Sequence, residues 1–148
     1  MTGRILIFIV MMYPLLTTGS AISGEISFVT KQLILGGEKY SIEIARSAEQ
    51  RNRGLMFRDQ MEQRDGMLFI YPRSGYHRIW MKNTLITLTV IWIDENSQII
   101  DIKILPPCAQ SPCPSYGVSK PSKYVMELSD GKHSLEPGLR INGLERLE

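Results

Sequence analysis

Apolar and polar positions alternate along much of this chain, and the alternation breaks at glycines, prolines and short polar clusters. Ile26, Phe28, Leu33 and Leu35 precede Gly36-Gly37, and Tyr40, Ile42 and Ile44 follow it with Ser41 and Glu43 between them. Two period-two runs joined by a glycine pair predict a β-hairpin. Ser47-Ala-Glu-Gln50 then has the S-x-x-Q form of a capping box, so a helix should start there and Gly54 should keep it short. Residues 67–71, 78–81 and 85–93 are further strand candidates. The first should close at Pro72 and Gly75, and the last is rich in β-branched residues, which suits the centre of a sheet. Residues 94–97 read as a turn, after which Ile100, Ile102 and Ile104 alternate with Asp101 and Lys103 as a half-buried strand. Residues 106–121 hold five of the eight prolines and predict a long structured loop. A short strand at 124–128, a turn or short helix at 130–135, and a last short strand after Pro137-Gly138 complete the pattern. The expectation is one mainly-β domain with one or two short helices.

The first 23 residues have a different character. Arg4 precedes the uncharged apolar stretch 5–16, and residues 17–23 are mostly small. This tripartite pattern predicts a secretory signal peptide. A twelve-residue helix spans roughly 18 Å, short of the ~30 Å hydrocarbon core of a bilayer. Cleavage after Ala21 or after Ser23 satisfies the small-residue rule equally well. An uncleaved amphiphilic N-terminus or a buried core helix is the alternative. Residues 24–148 should then form a single periplasmic or secreted domain, monomeric and without a transmembrane span.

The full chain of 148 residues carries 17 Lys+Arg and 15 Asp+Glu, a formal net charge of +2. So small an excess argues against a nucleic-acid partner, which would call for a strong basic surplus. The balance hides an uneven spread, because residues 46–82 carry eight bases (Arg46, Arg51, Arg53, Arg58, Arg64, Arg73, Arg78 and Lys82) against four acids. A solvated face with ordinary ion pairs would explain that excess, and so would an anion-binding face in which arginines grip a carboxylate or phosphate bidentately.

Trp80-Met81-Lys82-Asn83-Thr84 is the densest group of distinct chemistries. Trp80 offers a flat face for stacking, Lys82 a cation, and Asn83 and Thr84 donors and acceptors, as in one wall of a small-molecule pocket. The plainer reading packs Trp80 in the core and makes Asn83 and Thr84 part of a turn. Cys108 and Cys113 form a C-x4-C pair, which in an oxidising compartment reads first as a local disulfide. A redox pair or a metal site are the alternatives. His77 and His133 lie in no ligand-spaced cluster, and the chain has no H-E-x-x-H, Gly-rich phosphate loop or G-x-S-x-G elbow, so no metal or cofactor is expected.

RGLMFR (53–58), GMLFIY (66–71), WMKNTL (80–85), the segment from Pro106 to Tyr116 and YVMEL (124–128) occur in that order. The combination resembles domain-of-unknown-function family 192, also called uncharacterised protein family 0127, a group of small exported bacterial proteins. The resemblance implies a compact barrel- or sandwich-like β fold with a short helix carrying RGLM, and it brings no established reaction. In that family WMKNTL is often followed by I-P-L-D, whereas Thr87 and Thr89 stand at the proline and acid positions here. No catalytic carboxylate is therefore assigned. The leading expectation is a binding module for a small polar or anionic ligand, using Arg53, Trp80, Lys82, Asn83 and Thr84. The alternatives are an envelope-associated enzyme with Lys82 in acid/base chemistry, and a structural or interaction protein in which Trp80 and Asn83 are buried.

Overall fold

A computed structural model of the chain describes residues 25–147, and the expected signal peptide at 1–23 lies outside the described residues. The elements are β1 (Val29–Leu35), β2 (Glu38–Ala45), α1 (Ala48–Arg53), β3 (Asp65–Gly75), β4 (Ile79–Trp80), β5 (Leu88–Ile93), β6 (Ile99–Leu105), β7 (Ser115–Tyr116), β8 (Ser122–Ser129) and a closing 3-10 turn at Leu144–Leu147. Six strands form one open sheet in the order β1-β2-β3-β8-β5-β6, and β4 pairs with β7 in a second, two-stranded sheet. β2 and β3 run parallel, with α1 in their connection, and the other neighbours are antiparallel. The fold is mainly β and sandwich-like, as the residue pattern and the family resemblance imply.

Local signals explain most of these elements. Gly36 and Gly37 both take positive φ, 56° and 85°, the turn that suits the right-handed twist of a two-strand hairpin. The capping box forms in full: the Gln50 amide N–H donates to Ser47 Oγ at 3.0 Å, and Gln50 Oε1 accepts from the Ser47 N–H at 3.0 Å. Pro72 does not end β3, which continues to Gly75. The register with β8 shifts between Ile70 and Gly75, so the proline's missing N–H leaves no ladder bond unmade there.

Two expectations need correction. A bulge between Trp92 and Ile93 shifts the β5–β6 register, so that Ile93 pairs with Ile99 while Trp92 pairs with Asp101. The extra residue throws Ile100 out of phase with Ile102, and the two pack against opposite faces of the sheet. Among the described residues no strand forms after Pro137. Gln98 and Arg140 make a lone antiparallel bridge, and Ile141, Leu144 and Leu147 turn inward to plug an apolar face. Their spacing of three suits a helical turn, not a strand.

Each face of the sheet has its own core. Leu33, Tyr40, Ile42, Ile44, Leu68, Ile91, Tyr124, Met126 and Leu128 pack on one face beneath the C-terminal segment. Met67, Phe69, Val90, Trp92 and Val125 pack on the other, beneath Leu55, Ile79 and Met81. The fully buried Trp92 donates its indole N–H to the His77 carbonyl at 3.0 Å. Gly66 lets β3 lie close to β8, since a Cβ there would come within 2.5 Å of the Glu127 carbonyl oxygen.

A candidate ligand-binding cleft

The elements covering the second face are short, and they part over β3 and β8. The opening is a cleft of about 420 Å³. Its floor is Phe69 and Tyr71 of β3 and Glu127 of β8. One wall is α1 and the following loop, from Ala48 to Met56, and the other is Arg78, Ile79, Trp80 and Thr84. Residues of RGLMFR, GMLFIY, WMKNTL and YVMEL therefore meet around one space.

Local geometry holds the two walls together. Phe57 and Asn83 both take left-handed backbone conformations, φ 66° and 55°, which cost about 1–2 kcal/mol at the phenylalanine and less at the asparagine, whose short polar side chain tolerates that region. Their loops clasp each other, for the Phe57 N–H donates to the Asn83 carbonyl at 2.8 Å. The Cys108–Cys113 disulfide forms. Its segment supports the wall that carries Trp80: β7 pairs Ser115 with Trp80 and Tyr116 with Ile79, and the Arg78 guanidinium donates to the Ser115 hydroxyl and carbonyl.

Arg51, Arg53 and Arg78 supply the positive charge. Arg51 lies over the Tyr71 ring, 5.2 Å from its centroid, and donates to the Ile70 carbonyl at 3.1 Å and to that of Arg46. Arg53 stacks over Phe57 at 4.9 Å. Among the described residues the ion pairs are Arg58–Glu43, Arg64–Glu38 and Lys103–Asp101, so none of the three cleft arginines is neutralised by a carboxylate.

Glu127 is the residue that sequence reasoning missed. It is 5% exposed, flanked across the sheet by Met67 and Val90, and no described residue hydrogen-bonds or ion-pairs with its carboxyl. Burial pushes that carboxyl up to about 8, because an ionised carboxylate loses most of its hydration there. Tyr71 is pushed up to about 12, mainly by burial and then by the neighbouring Glu127 charge, against a lowering by Arg51. Burial thus favours the neutral form of the acid, which leaves the arginine charges uncancelled. The available signal was an acid inside the apolar run Tyr124-Val125-Met126-Glu127-Leu128.

The sequence-predicted residues divide. Arg53, Trp80 and Thr84 line the cleft, Trp80 being 48% exposed and Thr84 buried. Lys82 and Asn83 are exposed at the turn beside it and are not in its lining. The Lys82 ammonium lies 5.1 Å from the Trp80 ring centroid. Thr89, at the position where relatives often carry an acid, pairs with Leu128. It therefore lies on the face opposite Glu127, and the cleft acid does not replace the missing one.

Fold and cleft together describe a small mainly-β protein with an arginine-rimmed pocket over a buried acid. The model of domain-of-unknown-function family 192, described as an uncharacterised ACR, matches residues 31–143, and the chain belongs to that family. It is similar to a Sinorhizobium meliloti 1021 protein described as a candidate transcription regulator, with 29% identity and a TM-score of 0.69 over 82% of this chain and 98% of that one. It shares its fold with a protein of unknown function from Novosphingobium aromaticivorans DSM 12444, at 22% identity and a TM-score of 0.66, covering 83% of this chain and 89% of that one. No curated protein matches the chain.

Proposed function

We propose that the protein is an exported binding module for a small anionic ligand held in this cleft. The observation that carries the reading is the set of guanidinium groups, Arg51, Arg53 and Arg78, around one cleft with no carboxylate partner among the described residues. Arginines gathered in the lining of one concave site favour a single carboxylate or phosphate. A polymer of phosphates calls for charge spread along a face instead. Trp80 supplies an apolar wall and Thr84 a hydroxyl. Export is supported by the signal-like residues 1–23 and by the disulfide.

The alternatives draw less support. An acid/base role for Lys82 calls for a lysine tuned by burial, and this one is exposed. A purely structural role for the signature residues calls for a buried Trp80 and Asn83, and both are exposed.

The test is a thermal-shift and NMR titration with small carboxylates and phosphates. Anions should raise the melting temperature of the wild-type protein and perturb amides near Gly54 and Trp80. Arg53→Ala combined with Arg78→Ala should abolish both responses while leaving the fold intact. An equal response in the double variant would sink the reading.

A further inference from the structure

Resting on that anion-binding reading, we infer that the ligand is a hydroxylated ring anion, of the sugar-acid or sugar-phosphate class. Glu127 is its specificity-determining residue, meeting a ring hydroxyl at the floor while the arginines hold the anionic group at the mouth. The cleft is polarised in depth. Arg53 and Arg78 are exposed at its rim, and Glu127, a residue 5% exposed, lies at the bottom with no protein partner for its carboxyl among the described residues. A buried polar group without a partner costs free energy in the empty site, and a ligand hydroxyl that reaches it offsets that cost.

The charge pattern selects among polar groups for that inner position. An ammonium would have to pass the guanidinium groups of Arg51, Arg53 and Arg78. A hydroxyl carries no charge and can both accept from and donate to a carboxyl. Burial favours the protonated form of Glu127, which likewise offers a donor and acceptors. Between rim and floor stands Trp80, half exposed, with its ring in the cleft lining. Its flat apolar surface suits the C–H face of a saturated ring. The volume of about 420 Å³ lies toward the small end of the ~300–1,000 Å³ usual for small-molecule sites, which favours one ring over a chain.

The experiment is a calorimetric titration at neutral pH with D-glucuronate, D-glucose 6-phosphate, cyclohexanecarboxylate and L-glutamate. D-glucuronate or D-glucose 6-phosphate should bind at least roughly tenfold tighter than cyclohexanecarboxylate, as expected where a site's buried polar group is left unpaired by the analogue. Whichever of the two binds more tightly identifies a carboxylate or a phosphate as the anionic group. Glu127→Leu should bring the ratio close to one while cyclohexanecarboxylate still binds. Because that variant changes a buried position, a second readout uses the wild-type protein. The carbon-13 resonance of the Glu127 carboxyl should move with the hydroxylated anion and stay still with cyclohexanecarboxylate. A ratio near one in the wild type, a ratio unaltered in Glu127→Leu, or a preference for L-glutamate would overturn the inference and leave the anion-binding reading standing. Failure of every anion to bind would overturn both.

Discussion

On the face of the sheet that carries Tyr124, Met126 and Leu128, side chains from all six strands pack beneath Ile141, Leu144 and Leu147. Most polar groups at its margin find partners, the buried Thr89 hydroxyl being an exception among the described residues. The Tyr40 hydroxyl lies 2.9 Å from His133 Nδ1, His133 Nε2 lies 2.9 Å from the Ser129 carbonyl, and Arg46 donates twice to the Leu147 carbonyl, at 2.6 and 2.9 Å. The face that carries Val125 and Glu127 is covered by a six-residue helix, a two-stranded sheet and loops, and the cover opens over a carboxyl without a partner. One face thus holds the fold together, and the other retains a destabilising group where a ligand can reach it. In β8 the two roles alternate residue by residue, so neighbouring substitutions should have different consequences.

The largest expected effect is a pH dependence tied to Glu127. Its ordinary value of 4.5 is raised to about 8 in the folded protein. Below 4.5 the carboxyl is protonated whether the chain is folded or not. Between 4.5 and 8 the unfolded chain releases the proton while the folded one keeps it, so stability falls as pH rises and levels off above about 8. The loss grows with the distance between the unfolded and folded values, so the raised carboxyl sets its size. Urea unfolding across this range should therefore show Glu127→Gln gaining on the wild type as pH rises. A difference that stays flat with pH would mean that the carboxyl is hydrated, and the contrast between the faces would lose its main support.

One position further along the strand, Leu128→Ala should cost about 3 kcal/mol, within the usual 2–5 for a buried leucine, since Leu128 is fully buried. That loss should be independent of pH and should leave anion affinity unchanged. Chemical denaturation and ligand titration on the same variant check both statements. A loss of binding comparable with the loss of stability would show the faces to be coupled.

What could be read beforehand follows the same division. The Gly36-Gly37 hairpin and the Ser47–Gln50 box are local, and the residues that decide them are neighbours in sequence. The bulge beside Trp92 is not local in this sense, because Ile100 and Ile102 meet opposite faces only once pairing with β5 has set the register. Glu127 was hidden for a similar reason. An acid next to Met126 and Leu128 looks like the solvent side of an alternating strand. It becomes buried because β8 lies between β3 and β5 with both faces covered, and sheet order is set by contacts distant in sequence. The motifs of the candidate site were legible, but the division of WMKNT between cleft wall and outer turn depends on the left-handed Asn83.

The disulfide offers a smaller effect that bears only on the open face. Closing the loop from Cys108 to Cys113, a sequence separation of 5, is worth roughly 2 kcal/mol by chain entropy, less the stiffness that the neighbouring prolines already give the unfolded loop. Replacing both cysteines by serine should lower stability by no more than that. Amide exchange should quicken at Ile79, Trp80 and Tyr116, where β7 supports β4, while the amides of β1 and β2 keep their protection. Equal loss of protection on both sides would mean that the brace stabilises the whole sheet and not the cleft wall alone.

The clearest separation of the two roles is expected from Trp80→Ala. Tryptophan in a core costs about 3–5 kcal/mol to truncate, but Trp80 is 48% exposed, and the stacked Lys82 ammonium contributes about 0.5–1 kcal/mol at an exposed site. Truncation should therefore cost no more than about half the core value in urea unfolding. It should nevertheless weaken binding of a ring anion roughly tenfold, because an aromatic surface in contact with a ligand is worth about 0.5–1.5 kcal/mol beyond its area. The two measurements must diverge for the comparison of faces to hold. A stability loss of several kcal/mol with unchanged affinity would return Trp80 to the core and leave the arginines and Glu127 without an apolar wall between them.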